Sequence, residues 1–125
     1  MENNNKVCIA IQKIKPEAQF SFNVDIITEE DFNKIEWKTG VDNEGASILT
    51  TVNPHSELTW TKVNAEMDRL QAEYDGQVYA RKRQAAYPPI KEFIEAYTEK
   101  EIGGNSTKWD AYVINYNKVR TENPK

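Results

Sequence analysis

Hydrophobic and polar positions alternate along this chain with a period that changes from segment to segment, and each change predicts an element. Between Lys6 and Ile14 the apolar residues Val7, Ile11 and Ile14 fall at i, i+4 and i+7, one face of a helix. Asn5 is placed to cap its start and Pro16 lies just beyond its end. Val7, Ile9 and Ile11 also have strand spacing, so the side taken by Ile9 separates the two readings. From Gln19 to Asp25, Phe20, Phe22 and Val24 alternate with polar residues, which predicts a half-buried strand. Thr28-Glu29-Glu30-Asp31 places an acid three residues after a threonine, a helix-start signature. Lys34 to Lys38 alternates again around Ile35 and Trp37 and predicts a second strand, antiparallel to the first.

Thr39 to Ser56 holds Gly40, Asn43, Gly45, Asn53 and Pro54 around one apolar run, Ile48 to Val52. It is expected to be a long mobile loop that buries Ile48 and Leu49 against a neighbouring protein; the alternative is a third strand of the chain's own sheet. From Glu57 the period changes. Trp60, Val63, Met67, Leu70 and Tyr74 step by three and four, an amphipathic stripe of heptad period. With Ser56 as N-cap, that helix is predicted to run to about Ala86, where Tyr87-Pro88-Pro89 stops it. A further helix carries Ile90, Phe93, Ile94 and Tyr97 and ends at Gly103-Gly104; the last begins at Ser106 or Thr107 and lines up Trp109, Tyr112, Val113, Tyr116 and Val119. The expected fold is therefore α+β: a small antiparallel β-hairpin or three-stranded sheet near the N-terminus, then three helices, one long. Residues 1–56 form an N-terminal α/β part with the loop 39–56, and residues 57–125 a helical part. The heptad stripe serves either as cover for the sheet or, through residues 60–74, as the seam of an oligomer.

Composition narrows the function. The chain has 125 residues and a mean hydropathy of -0.78, so the core is small, although three Trp, six Tyr and four Phe enlarge it. A net charge of -4 lacks the cationic field that general nucleic-acid or anionic-membrane binding needs. The single cysteine, Cys8, can form no internal disulfide, which fits a reducing compartment. The first residues lack a basic segment followed by an apolar one, and no run is long enough to span a membrane; a protein made and kept in solution is expected.

Candidate chemistry is sparse. His55 and Cys8 are the sole members of their kind, far apart in sequence and without a family signature, and they cannot assemble a zinc site. Asp42-Asn43-Glu44-Gly45 reads as a turn, because the position that should close a calcium loop is Asn53 and not Glu. Glu29, Glu30 and Asp31 are explained by the positive end of the helix they open, and Asn105-Ser106-Thr107 by a helix cap. Arg81-Lys82-Arg83 beside Tyr79 and Tyr87 is the one local basic cluster, but consecutive cations spread around a helix and do not make one face. No catalytic residue, metal site or cofactor is expected.

Taken together, several segments resemble a known group. Tyr79-Ala80-Arg81-Lys82-Arg83-Gln84-Ala85-Ala86-Tyr87-Pro88-Pro89-Ile90, followed by an aromatic helix, a Gly-Gly break, a Trp-bearing helix and a terminal Asn-Pro-Lys, is similar to the C-terminal half of small tailed-phage proteins. So is the order Ala10-Ile11, Pro16, Phe20, Ile35-Glu36-Trp37 ahead of a long helix, with Thr39 to Ser56 as an insertion. These proteins are tail-fibre assembly proteins or small virion proteins of unassigned role. Lys91-Glu92-Phe93-Ile94 departs from the acidic, leucine-rich helix of the fibre assembly proteins. The resemblance implies a non-enzymatic tail protein that binds a tail-fibre or baseplate protein, as assembly chaperone or virion component, in the host cytoplasm and then in the phage tail. The residues with which it would hold that partner are Ile48, Leu49, Trp60, Met67, Tyr74, Tyr87 and Trp109, since aromatic and apolar side chains anchor interfaces.

Overall fold

The computed structural model describes residues 1–125. The fold is α+β, a three-stranded antiparallel sheet in the N-terminal region followed by helices, with 56% of residues helical. The chain divides into two compact units, Met1–Tyr74 and Asp75–Lys125. The division lies after Tyr74 and not after Ser56, because the first part of the heptad stripe belongs to the N-terminal core.

In the first unit, α1 (Asn3–Ile14) buries Val7, Ala10 and Ile11 and leaves Ile9 exposed, the helical outcome of the two readings. Its cap is not Asn5. The helix starts three residues earlier than expected, at Asn3, and its asparagines dock it instead. Asn4 Oδ1 accepts from the Ile26 amide at 3.3 Å while Asn3 Nδ2 donates to the Ile26 carbonyl at 2.6 Å. Ile26 is fully buried, so these two side chains take the place of a neighbouring strand. That is why β1 is only Phe20–Ser21 and not the longer strand expected to reach Asp25.

The short helix α2 (Glu29–Phe32) opens on a complete capping box between Thr28 and Asp31. It leads into β2 (Glu36–Val41), whose Trp37 pairs with Phe20 of β1 on one side and Thr50 of β3 (Ser47–Thr50) on the other. The strand order is β1-β2-β3. Residues 39–56 are thus not a mobile loop: the alternative, a third strand, is what forms, and residues 39–50 belong to a β-hairpin. Asp42 N–H bonds to the Ala46 carbonyl at 2.8 Å, Gly45 N–H returns to Asp42 at 3.1 Å, and the Asp42 carboxylate accepts from Glu44 and Ala46, each at 2.9 Å. Gly45, at φ 85°, closes the three-residue loop in the left-handed region where other residues are strained. Thr39 is a β-bulge, an extra residue between the Lys38–Leu49 and Gly40–Ile48 pairs.

The core of this unit joins α1, the sheet and α3 (Trp60–Gly76), with Trp37, Ile35, Ile26, Leu58, Val63 and Met67 at its centre. Trp37 lies 5.8 Å from Phe20, 6.1 Å from Phe32 and 5.6 Å from His55, ring centre to ring centre. Thr59, not Ser56, caps α3, its hydroxyl accepting from the Lys62 amide, because a turn from His55 to Leu58 precedes the helix. Lys6 to Gln71 (3.1 Å) and Lys13 to Glu66 (2.9 Å) lace α1 to α3 and show the two running antiparallel.

In the second unit, α4 (Val78–Ala86) follows an interruption at Gln77 alone, so the long predicted helix is present as a bent helix of 27 residues. Gly76 lies at the break, where its low helix propensity makes it cheap. Tyr87-Pro88-Pro89 turns the chain into α5 (Ile90–Glu101), and Gly103-Gly104 turns it again into α6 (Thr107–Glu122). Gly104 is left-handed at φ 66°, and a Cβ on Gly103 would sit 2.9 Å from the Glu99 carbonyl, so both positions require glycine. Helix α5 packs along α6.

Candidate functional site

The groups that sequence offers for chemistry are occupied by structure. His55 is not solvated: its ring stands edge-on to Trp37, and its Nε2 is buried without a hydrogen-bond partner. Burial pushes the Cys8 thiol up, away from the thiolate form that reacts. No three His, Cys, Asp or Glu side chains gather as metal ligands. Arg83 donates from Nε to the Asn123 carbonyl at 2.8 Å, capping the end of α6, and stacks on Tyr79 at 5.1 Å. Asp31 is held below the ordinary carboxylate range first by the Thr28 hydroxyl and then by amides of its own cap. Between α5 and α6 lies a groove of about 260 Å³ lined by Glu92, Glu95, Lys108, Ala111, Tyr112 and Asn115. Across its rim Lys108 bonds Glu99 at 2.6 Å, and that contact holds its ammonium pKa up.

Apolar surface is where unexplained side chains remain, and two places gather most of it. One is the β2–β3 hairpin. β3 pairs only with β2, so its outer edge keeps unpaired backbone donors and acceptors. Ile48 is 46% exposed and Leu49 50%, but as consecutive strand residues they point to opposite faces of the ribbon. Leu49 stands opposite Lys38, on the face that also carries exposed Val41, while Ile48 stands on the Trp37 side beyond the end of the core.

The other place is the second unit, where six rings form one connected series. Tyr87 stacks on Tyr116 at 4.9 Å, Tyr116 follows Tyr112 at 6.2 Å, and Tyr112 meets Trp109 at 6.1 Å and Phe93 at 5.5 Å. Tyr97 closes the series on Phe93 and Trp109, each at 6.0 Å. Lys100 lies over Trp109 at 4.7 Å, a cation–π contact.

No family model, curated protein or solved structure matches the chain.

Of the residues expected to hold a partner, Ile48, Leu49 and Tyr74 are exposed. Met67 is not available: it is buried with Val63 in the first unit's core, and Trp60 packs half-buried on Phe32 at 5.9 Å. The centre of the 60–74 stripe, Val63 and Met67, serves as cover for the first unit's core. Tyr87 and Trp109 are half-buried in the ring series. Exposed Val41 and the α5 residues Ile90, Ile94 and Tyr97 are not among the residues expected from sequence, where helical spacing reports an apolar face without its exposure. The missing signal was quantitative: α5 and α6 together have too little partner surface to cover it. No helix is long and apolar enough to cross a membrane.

Proposed function

We propose that this protein is a non-enzymatic bacteriophage tail protein that binds a tail-fibre or baseplate protein, as an assembly chaperone or a permanent virion component. The observation that supports a binding role is the open β3 edge with Leu49 and Val41 exposed beside it. Such an edge can accept an extended segment as a fourth strand, the backbone giving affinity and the alternate side-chain positions giving selectivity. The phage assignment rests on the resemblance of the Tyr79–Ile90 segment and the helices after it.

The experiment is capture of fibre and baseplate proteins from the same phage by the full chain. The wild-type protein should retain one of them, and Leu49→Glu, on an exposed strand position, should abolish retention while leaving the circular dichroism spectrum unchanged. Retention of neither protein would overturn the reading. Mass spectrometry of purified virions then separates the roles: a virion component stays in the particle and a chaperone leaves it.

A further inference from the structure

The second unit covers only one side of an apolar helix face: Phe93 and Tyr97 touch rings of α6, and the rest lies open. Ile90, Phe93, Ile94 and Tyr97 occupy i, i+3, i+4 and i+7 of α5, the spacing of a packed helix face. Yet Ile90 is 76% exposed, Ile94 56% and Tyr97 49%, and Ile102 beyond the helix end is 84% exposed. In the whole of Asp75–Lys125 only Ala96 and Val119 are buried. A unit of this size with so small a core draws stability from something that covers it.

We propose that the cover is a second copy of this chain, docked through α5 in an antiparallel, two-fold helix pair. The charges along the seam select that occupant and that direction. Lys91 flanks the stripe at its N-terminal end and lies in none of the chain's ion pairs; Glu101 stands at its C-terminal end, half-exposed, its one ion-pair contact being its sequence neighbour Lys100 at a loose 3.6 Å. Antiparallel pairing brings Ile94 over Tyr97 of the second copy and Ile90 over its Ile102, and sets Lys91 against its Glu101, twice by symmetry. Each helix N-terminus then also lies beside the other's C-terminus, so the dipoles attract. A parallel pair would oppose Lys91 to Lys91 and Glu101 to Glu101. The exposed apolar surface on the stripe and Ile102 is roughly 500 Å² per copy, so a pair buries about 1,000 Å², the lower edge of specific interfaces. The dimer is therefore reversible. It stands independently of the β3 edge and of the identity of any phage partner.

The test is sedimentation velocity of the full chain over a concentration series. Wild type should pass from monomer to dimer. Ile94→Glu, a substitution at an exposed site, should leave a folded monomer by circular dichroism. Lys91→Glu should weaken the dimer by about tenfold, by loss of two pairs and two new repulsions. The double variant Lys91→Glu with Glu101→Lys should restore it, because the pairs re-form with reversed sign. A wild-type monomer at every concentration, a dimer indifferent to Ile94→Glu, or a double variant no better than the single one would each overturn the proposal. So would capture of a tail protein that depends on Ile94 but occurs in the monomer, since the seam would then belong to that protein.

Discussion

Met67→Ala decides whether the heptad stripe is core, and its cost can be worked from the site. Met67 is 5% exposed and lies in the cluster formed by Val7, Ile11, Ile26, Trp37 and Val63. Truncation removes three heavy atoms, worth about 2.4 kcal/mol at ~0.8 kcal/mol per methylene-sized group. Partial collapse of the void, in a core built on rigid rings and β-branched side chains, adds a smaller cavity term, for a total of about 3 kcal/mol. A unit of this length is stable by only about 4–11 kcal/mol, so the melting temperature should fall by about 15 °C. The assay is urea unfolding followed by tryptophan fluorescence in a Trp109→Phe background, which leaves Trp37 and Trp60 to report the first unit alone. The slope against urea should not change, while the midpoint should fall. A loss below about 1 kcal/mol, particularly with the wild-type dimer dissociated, would place Met67 on an outer surface and refute the assignment of the stripe to the core.

Asn4→Ala strips the buried Ile26 amide of its acceptor and should cost about 1–2 kcal/mol in the same unfolding assay, more than Asn5→Ala on the exposed side of the same helix. The Glu66 carboxylate is held down to about 2, from an ordinary value of 4.5, first by the Arg69 guanidinium and then by the Lys13 ammonium. A depressed folded value contributes stability above pH 4.5 that is lost as pH falls toward 2, so Glu66→Gln should flatten the acid limb of the stability curve in that window, measured by urea midpoints at successive pH. Gly104→Ala puts a side chain on a left-handed residue and should cost about 1–2 kcal/mol, read from Trp109 fluorescence on heating.

The elements were legible in the chain wherever one face is buried and the period is long enough to repeat. α1, α5 and α6 declare themselves by spacing, and the Thr28 capping box by its residue pair. Illegible were the features set by partners distant in sequence. Nothing local says that Asn3 and Asn4 bond Ile26, so β1 was expected to be too long. The hairpin was legible only as the alternative of a third strand, because Ile48 and Leu49 are adjacent apolar residues without alternation and Thr39 shifts the register. His55 reads as a surface residue until Trp37 is found beside it. Of the candidate surface, Ile48 and Leu49 could be named from sequence. The α5 seam could not, because spacing reports that a face is apolar and not whether the chain has anything to lay upon it.

The extra residue at Thr39 has a consequence for solubility. An outer strand with unpaired backbone and isoleucine and leucine side chains is a template on which identical strands can stack without limit, in the manner of a fibril. A bulge bends and twists the ribbon at that point, so a copy laid against β3 in regular pairing cannot follow it along its length. A short incoming segment of matching shape still fits the four residues Ser47–Thr50. One inserted threonine thus keeps the edge open to a single strand while closing it to endless polymerisation.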